Sequence, residues 1–189
     1  HGIIRVYRRG GVIRFFLHGG FLFVNRPKRE FRIHRLAYEC AMPIPAPLGV
    51  RWQRRGLLIQ GALCTREVAG DDLLEIAGGP EDAAADAFRR AGAAIRQLHD
   101  AGFYHADLQV RNVLVTPHDV HLIDFDRATW KATLGRFGRS RNLLRLQRSI
   151  EKNAIPLALF NRILEGYGPT IVPSWLRSAY SLKGRFSDL

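Results

Sequence analysis

Cysteine is scarce in this chain, and its two copies offer no framework for a disulfide-stabilised or zinc-binding protein. Cys40 and Cys64 stand far apart, and no C-x-x-C pair occurs. This usage favours a reducing compartment. Long hydrophobic runs are also missing. The most apolar stretch, residues 15–24, is only ten residues long and contains a histidine and two glycines, whereas a membrane-spanning helix needs about 20 mostly apolar residues.

Acidic residues are few as well, with 17 Asp and Glu against 29 Lys and Arg and a net charge of +12. This imbalance predicts an anionic partner: nucleic acid, anionic lipid or a phosphorylated substrate. Residues 1–60 carry 12 basic and 2 acidic side chains, residues 61–126 carry 5 and 12, and residues 127–189 carry 12 and 3. Because the middle is acidic and no nucleic-acid-binding motif occurs, we expect no nucleic-acid partner.

The patterning predicts an α+β protein in two lobes. Residues 1–64 suit short strands around one helix, which begins at Pro27 and runs to about residue 41. That helix has Glu30 on the same face as an apolar stripe formed by Ile33, Leu36, Ala37 and Cys40. Residues 65–72 are polar and read as a linker, and residues 73–189 form a mainly helical second lobe.

The second lobe begins with a long helix and a short hairpin. The helix starts after Pro80, with acids in its first turn, and stops before Gly102. Residues 113–115 and 120–123 predict two strands joined by a polar turn, and residues 139–165 are predicted to be helical.

Candidate chemistry surrounds that hairpin. Residues 105–112 read HADLQVRN and residues 122–126 read LIDFD, the H-x-D-L-x-x-x-N and Asp-Phe arrangement of protein-kinase-like phosphotransferases. Phosphoryl transfer needs a carboxylate that orients the attacking hydroxyl and accepts its proton, a role that suits Asp107. It also needs oxygen ligands for Mg²⁺, and the hairpin is expected to bring Asp124 beside Asn112.

Other positions in these motifs have supporting or divergent character. His105 is predicted to brace the loop by packing and hydrogen bonding rather than to react. Asp126 stands where protein kinases carry glycine, and either assists metal binding or caps the following turn. Gln109 stands where many protein kinases have lysine, so an ordinary protein kinase is disfavoured.

The longer segments resemble the lipopolysaccharide kinase family. GFYHADLQVRNVLV and HLIDFDRA carry the similarity around the site. Residues 5–11 (RVYRRGG), 65–70 (TREVAG) and 141–149 (RNLLRLQRS) resemble the branch that phosphorylates 3-deoxy-D-manno-octulosonic acid (Kdo). The resemblance covers most of the chain.

That resemblance implies a bilobal protein-kinase-like fold, ATP and Mg²⁺. It implies transfer of the γ-phosphoryl group to the 4-hydroxyl of Kdo on a lipid A precursor, in lipopolysaccharide core biosynthesis. The expected location is the cytoplasmic face of the inner membrane of a Gram-negative bacterium, with peripheral contact to its anionic surface. No stable protein partner is indicated.

The nucleotide-clamping pair is expected at Arg5 and Glu30. Protein kinases use a strand lysine, held by a helix glutamate, to grip the nucleotide phosphates. The pattern IIRVY puts Arg5 at the lysine position, and Glu30 is its natural partner. The Gly-rich loop that covers the phosphates belongs before this strand. Since only four residues precede Arg5, the chain is expected to be truncated at its N-terminus, with an incomplete small lobe.

The basic flanks are candidates for contact with lipid A phosphates or lipid headgroups through arginines 8, 9, 139, 141, 145 and 148. The apolar side of residues 139–152 is expected either to pack in the core or to lie near a membrane surface. Three other functions remain open: a heptose kinase of the lipopolysaccharide core, a small-molecule phosphotransferase of the aminoglycoside or choline type, and a pseudokinase that only binds nucleotide.

Overall fold

The computed structural model describes residues 1–6, 21–22, 25–55 and 58–169. The chain divides into two compact units, His1–Val68 and Ala69–Leu189, and the division falls inside the segment 65–72 that the sequence marks as a linker. The sequence also predicts a turn at Gly10-Gly11 and a strand at residues 12–17. These positions lie outside the described residues, as do Arg8 and Arg9.

The first unit is built on an antiparallel sheet of four strands. These are β1 (Gly2–Val6), β2 (Phe21–Leu22), β3 (Pro47–Arg55) and β4 (Leu58–Arg66). Strand β4 pairs with the other three, and Arg5 of β1 lies opposite Leu63. The sequence predicts that residues 48–52 and 56–63 pair as strands around a polar turn, and the pairing of β3 with β4 confirms this with longer strands.

Helix α1 (Arg26–Glu39) belongs to the same unit, and its inward face differs from the predicted one. The Asn25 side chain caps it by accepting a hydrogen bond from the Lys28 N–H at 3.0 Å. The buried residues are Pro27, Glu30, His34 and Ala37. The inward position of Glu30 is confirmed, but Cys40 is exposed, so the predicted apolar stripe is wrong in that part. Polar partners set this rotation, because His34 Nε2 donates to the Pro45 carbonyl at 2.7 Å.

The second unit is mainly helical, with short strand pairs between its helices. Its strands are β5 (Asp71–Asp72), β6 (Phe103–Tyr104), β7 (Val113–Val115), β8 (Val120–Leu122) and β9 (Thr129–Trp130). Its helices are α2 (Leu73–Ala77), α3 (Glu81–Asp100), α4 (Arg136–Lys152) and α5 (Leu157–Tyr167). A 3-10 turn, Val110–Asn112, leads into β7. The strands form the sheet β5-β7-β8 and the pair β6-β9, all antiparallel.

Two helix ends show how local sequence sets the chain path. Helix α3 stops as predicted, with Gly102 at φ +86°, a conformation that glycine adopts without a Cβ clash. The helical character predicted for residues 139–165 is confirmed except at a break, because α4 ends at Lys152 and α5 begins at Leu157. The break follows from Pro156, which lacks the N–H that an uninterrupted helix requires, and from the left-handed Ala154 at φ +55°.

The core of the second unit is the contact between α3 and α5, together with the inward face of α4. Its largest fully buried side chains include Phe88, Ile95, Leu98, Phe103, Leu108, Leu122, Phe125, Leu143, Leu146, Ile150 and Tyr167. Helices α3 and α5 approach closely at Gly92, where an added Cβ would overlap the carbonyl oxygen of Ile163. Across the described parts of the chain, no helix combines the length and the apolar character needed to cross a membrane.

Gly92→Ala is therefore expected to destabilise the protein. In an open helix position this substitution stabilises by about 1 kcal/mol. Here the methyl group has no space, and overpacking of this kind costs about 1–3 kcal/mol. Gly78→Ala is the matched control, since its Cβ would lie 3.5 Å from the Glu75 carbonyl, an ordinary contact. Denaturant unfolding of both variants measures the difference, and a Gly92→Ala protein as stable as wild type would contradict this packing.

Candidate active site

The loop between β6 and β7 carries Asp107, and three groups fix that residue. Gln109 Nε2 donates to Asp107 Oδ2 at 3.2 Å, and Arg145 Nη1, from α4, lies 3.3 Å from Oδ1. The Asp107 carbonyl accepts a hydrogen bond from Asn112 Nδ2 at 2.8 Å. The Asp107 side chain is 48% exposed. The carboxylate is therefore oriented by the protein and still accessible to a ligand.

His105 braces this loop from inside. It is fully buried, and its Nε2–H donates to the carbonyl of Ile123 at 2.9 Å. Its Nδ1 accepts from the backbone N–H of Asp107 at 3.3 Å, and its ring meets Phe125 edge-on at 5.1 Å. Burial lowers the pKa of His105, which favours the neutral imidazole that these contacts require. Its contacts are those of a structural residue, as the sequence predicts.

The hairpin brings Asn112 and Asp124 to the same place. The backbone N–H of Ile123, next to Asp124, donates to the carbonyl of Asn112 at 3.0 Å. Asp124 itself has a left-handed backbone with φ +63°, which aspartate tolerates better than most residues. Its Oδ1 accepts from the backbone N–H of Asp126 at 3.2 Å. This contact is a turn cap of the kind predicted at Asp126, but it uses that residue's backbone and the Asp124 carboxylate.

The chemistry of this pair suits Mg²⁺. The amide nitrogen of Asn112 is used by the Asp107 carbonyl, so its amide oxygen is the atom suited to a metal. With the Asp124 carboxylate this makes two hard oxygen donors. Among the described residues no three His, Cys, Asp or Glu side chains converge as a metal cage. Mg²⁺ in nucleotide enzymes is commonly held by one or two carboxylates, water and substrate phosphates, so the donor set fits.

One amide side chain of α4 holds the loop backbone. Asn142, fully buried, donates from Nδ2 to the carbonyl of His105 at 2.6 Å and accepts at Oδ1 from the His105 N–H at 3.0 Å. His99 Nε2 lies 3.1 Å from the same Oδ1, and His99 Nδ1 lies 2.9 Å from the Tyr167 hydroxyl. Helices α3, α4 and α5 thus meet in one hydrogen-bonded chain that ends on the loop.

The charge state of His99 is set by its surroundings. Burial lowers its pKa to about 4, against a smaller opposing effect of the hydrogen bond to Asn142. At neutral pH the ring is therefore neutral, with Nε2–H donating to Asn142 and Nδ1 accepting from Tyr167. In this tautomer both ring nitrogens of His99 have a hydrogen-bond partner, Asn142 Oδ1 and the Tyr167 hydroxyl.

A cavity of 390 Å³ opens over Asp107. This volume lies within the ~300–1,000 Å³ range of small-molecule sites. Its lining is strongly charged and comprises Tyr104, Ala106, Asp107, Asp124, Asp126, Arg127, Arg141 and Arg145. Two of the predicted site residues, Asp107 and Asp124, therefore share one cavity, and Asp126 joins them.

The remaining predicted pair lies in the first unit. Arg5 Nη2 and Glu30 Oε1 form an ion pair, in which the Glu30 side chain is 2% exposed and the Arg5 side chain 36% exposed. A buried carboxylate needs such a partner, because an isolated buried charge is costly. The predicted contact between Arg5 and Glu30 is therefore present, and its role toward a nucleotide stays a prediction.

Sequence reasoning missed the residues that act through others. His99 is 43 residues from its partner Asn142, and Tyr167 is 68 residues from its partner His99. No local sequence pattern connects positions so far apart. Asn142 and Arg145 fall inside the segment RNLLRLQRS, which carries part of the family resemblance. For Arg145 the sequence predicts contact with phosphates or headgroups, and its pairing with Asp107 was missed. Their helical spacing was the available signal, since one residue faces the loop and the other the cavity.

Comparison with known proteins identifies the family. Residues 1–167 match the Lipopolysaccharide kinase (Kdo/WaaP) family, so the chain belongs to that family, as the motifs predict. The chain is similar to the 3-deoxy-D-manno-octulosonic acid kinase of Vibrio cholerae serotype O1, with 32% identity over 158 residues, 80% of this chain and 66% of the relative. It is 33% identical over 161 residues to the enzyme of that name from Xylella fastidiosa, covering 80% and 62%.

The relatives are longer than this chain, which spans less than two thirds of the length of these two. A solved structure, WaaP in complex with acyl carrier protein, superposes with a TM-score of 0.55 at 17% identity, covering 86% of this chain and 74% of that one. The likeness shows the fold. Together with the two units and their mixed helices and sheets, it confirms the predicted α+β, kinase-like architecture.

His99 predicts a specific pH dependence of stability. Its pKa falls from 6.5 unfolded to about 4 folded, so the unfolded state binds the extra proton between these values. The contribution is complete above pH 6.5 and is lost as the pH falls toward 4, by about 3 kcal/mol in total. His99→Gln should show a shallower loss of unfolding free energy over this interval than wild type, measured by urea denaturation.

Two other histidines also contribute to the pH dependence of stability, and comparing wild type with His99→Gln cancels their contribution. Burial also lowers the pKa of His34 and of His105, but both are present in the wild type and in the variant. The difference between the two pH profiles therefore isolates His99. Parallel profiles from pH 6.5 to 4 would show that His99 is not buried in its neutral form.

Proposed function

We propose that the protein is an ATP-dependent kinase that phosphorylates the 4-hydroxyl of Kdo on a lipid A precursor. The observation that carries this proposal is the convergence of Asp107, Asn112 and Asp124 around one loop and hairpin. Family membership and the names of the relatives from Vibrio cholerae and Xylella fastidiosa support the acceptor. The family match over residues 1–167 includes the whole motif region.

Asp107 is the group that would receive the acceptor. A hydroxyl that donates its hydrogen bond to this carboxylate has its oxygen lone pairs free to attack phosphorus. As this oxygen–phosphorus bond forms, the bond from the γ-phosphorus to the bridging oxygen of ATP breaks, ADP leaves, and the hydroxyl proton passes to Asp107. Gln109 and Arg145 each donate to one carboxylate oxygen. They fix the rotation of the carboxylate, which limits the search over orientations that would otherwise slow the reaction.

Arg145 is a positioning residue in this scheme, and it compensates for a departure from protein kinases. Those enzymes commonly carry lysine two residues after the catalytic aspartate, where this chain has the uncharged Gln109. The guanidinium of Arg145 brings positive charge to the same carboxylate from α4. Charge near the reacting groups favours a transition state in which negative charge spreads over the transferred phosphoryl group.

ATP and Mg²⁺ complete the proposed reaction. Asn112 and Asp124 would hold the metal, which when bound neutralises charge on the nucleotide phosphates. Arg5, paired with Glu30, would contact the nucleotide phosphates. Arginine supplies this charge as a planar fork, so its reach differs from that of the usual lysine.

The proposed acceptor is part of a membrane lipid, so the basic side chains of the protein are candidates for contact with an anionic membrane surface. We include in the proposal a peripheral contact with the anionic cytoplasmic face of the inner membrane of a Gram-negative bacterium. The apolar side of α4 does not supply that contact, because Leu143, Leu146 and Ile150 are buried in the core. We propose that charge attraction by exposed arginines contributes to this contact.

Asp107→Asn should lower kcat by about 10²–10⁴-fold with little change in ATP affinity, because the amide cannot accept the proton. Asp124→Asn should instead weaken Mg²⁺–ATP binding, because a metal ligand loses its charge. Both are measured on the full-length gene product, by steady-state kinetics and by nucleotide titration with and without Mg²⁺. Asp119→Asn, in the β7–β8 turn, is the matched control. Wild-type rates in both site variants would refute these assignments, and nucleotide binding without turnover in the wild type would indicate a pseudokinase.

The acceptor is tested by the product. Incubation of the full-length protein with ATP and a Kdo-bearing lipid A precursor should add one phosphate, which mass spectrometry of fragments places on Kdo. The comparison substrates are a heptose-containing core lipid and soluble amino sugars. Phosphate on heptose, or only on a soluble compound, would replace the Kdo assignment by one of the alternatives.

A further inference from the structure

The cavity over Asp107 contains three arginines, and they are not equivalent. Arg145 is paired with Asp107 at 3.3 Å. Arg127 and Arg141 line the same cavity, and both are exposed. Across the described residues neither of them has a hydrogen bond or an ion pair, although three carboxylates line the cavity with them. Two cations therefore remain available to a ligand.

Arg141 is oriented without being neutralised. Its guanidinium lies over the ring of Tyr104, 5.6 Å from the centroid. Such stacking contributes about 0.5–1 kcal/mol at an exposed site and uses the face of the guanidinium. The N–H groups at its edge stay free to donate, which is the geometry that binds a carboxylate with two parallel hydrogen bonds.

Arg127 is placed by an unusual backbone. Its φ is +62°, in the left-handed region that non-glycine residues rarely occupy, and it follows Asp124 and Asp126 in the metal-binding turn. A conformation of this kind costs about 1–3 kcal/mol and persists where the surrounding structure enforces it. The loop thus presents a cationic side chain to the cavity.

The cavity wall also holds polar groups that lack partners. The Tyr104 hydroxyl and Arg145 Nε are buried, and neither has a hydrogen-bond partner among the described residues. A buried polar atom left unsatisfied costs about 1–3 kcal/mol. The two exposed cations, Arg127 and Arg141, are the groups of this wall that an anionic ligand can reach.

We infer that Arg127 and Arg141 bind the carboxylate of the acceptor sugar and so select an acidic sugar over a neutral one. This inference rests on the proposed function, because it assigns the cavity beside Asp107 to the acceptor. The substrate class is a sugar acid, and the name octulosonic acid, borne by the relatives' substrate, denotes one.

The cavity points to the acceptor as the source of the anion. Its wall includes Asp107, which would receive the acceptor hydroxyl, and Asp124, which would hold the metal at the point where the phosphoryl group is transferred. At 390 Å³ it accommodates a single sugar better than a glycolipid. An anion bound here therefore belongs to the same ring as the attacking hydroxyl, which favours the sugar carboxylate over a phosphate elsewhere on the lipid.

The role of Arg127 and Arg141 in binding the sugar carboxylate is tested by measuring acceptor binding, which does not depend on turnover. Isothermal titration calorimetry would compare the full-length protein with a Kdo-bearing lipid A precursor in neutral-detergent micelles and with the same glycolipid methylated at the Kdo carboxyl group. Wild type should bind the free acid about 10–100-fold more tightly, the effect of a charge-assisted hydrogen-bonded pair. Arg141→Gln and Arg127→Gly should lose most of that preference.

The variants separate charge from folding. Glycine accepts the φ of Arg127 without strain, so a loss of binding in Arg127→Gly cannot be assigned to a misfolded turn. Arg141→Lys should show an intermediate preference, because it keeps the charge and loses the fork. Arg162→Gln, on α5 outside the cavity lining, removes the same charge and should bind both glycolipids as wild type does.

The outcomes distinguish the Kdo carboxylate from the other anions that the two arginines could bind. Equal wild-type affinity for the free acid and the methyl ester, including no measurable affinity for either, would overturn the inference. A loss of affinity in the variants that occurs only while the lipid A phosphates are present would assign the arginines to lipid phosphate, and weakened ATP binding in the variants would assign them to the nucleotide. An arginine-dependent preference for the acid without phosphate on Kdo would refute the proposed function and leave the inference standing.

Discussion

The pair of hydrogen bonds between Asn142 and the backbone of His105 is the constraint on which the site depends. It joins helix α4 to the loop that carries Asp107, at 2.6 and 3.0 Å, in a fully buried position. A buried amide that lost one partner would cost about 1–3 kcal/mol, so the loop cannot shift without a penalty. His99 and Tyr167 extend the constraint to α3 and α5. The neutral state of His99 allows its ring to donate to Asn142 and to accept from Tyr167 at the same time.

The cavity next to the loop held by Asn142 contains charged side chains that are not all paired with one another. Three aspartates and three arginines line a small volume, and local pairing accounts for only one of the arginines. The other two, Arg127 and Arg141, line the same volume without a carboxylate partner among the described residues. Unsatisfied charge is therefore retained in the folded protein, and it becomes available for binding an anion.

The sequence predicted the residues whose spacing is set by chemistry. Asp107, Asn112 and Asp124 lie in two short motifs joined by a hairpin, so local chain geometry was enough to place them together. Glu30 was predicted because helical periodicity turned it inward. The rotation of α1 toward His34 was not, since it depends on the carbonyl of Pro45 in another segment. The break between α4 and α5 was missed because the apolar periodicity resumes after Pro156.

Helix α4 explains why the segment RNLLRLQRS is distinctive beyond the catalytic motifs. Arg141 and Arg145, four residues apart, lie on the face that lines the cavity. Asn142, Leu146 and Ser149 follow a neighbouring face, where Leu146 is buried in the core and Ser149 Oγ accepts from the N–H of Val110 at 3.2 Å. The helix therefore fixes the loop with one face and supplies cations with the next. Since the two faces share one rigid helix, the arginines keep a fixed distance to Asp107, which a substrate needs when one group must bind while another reacts.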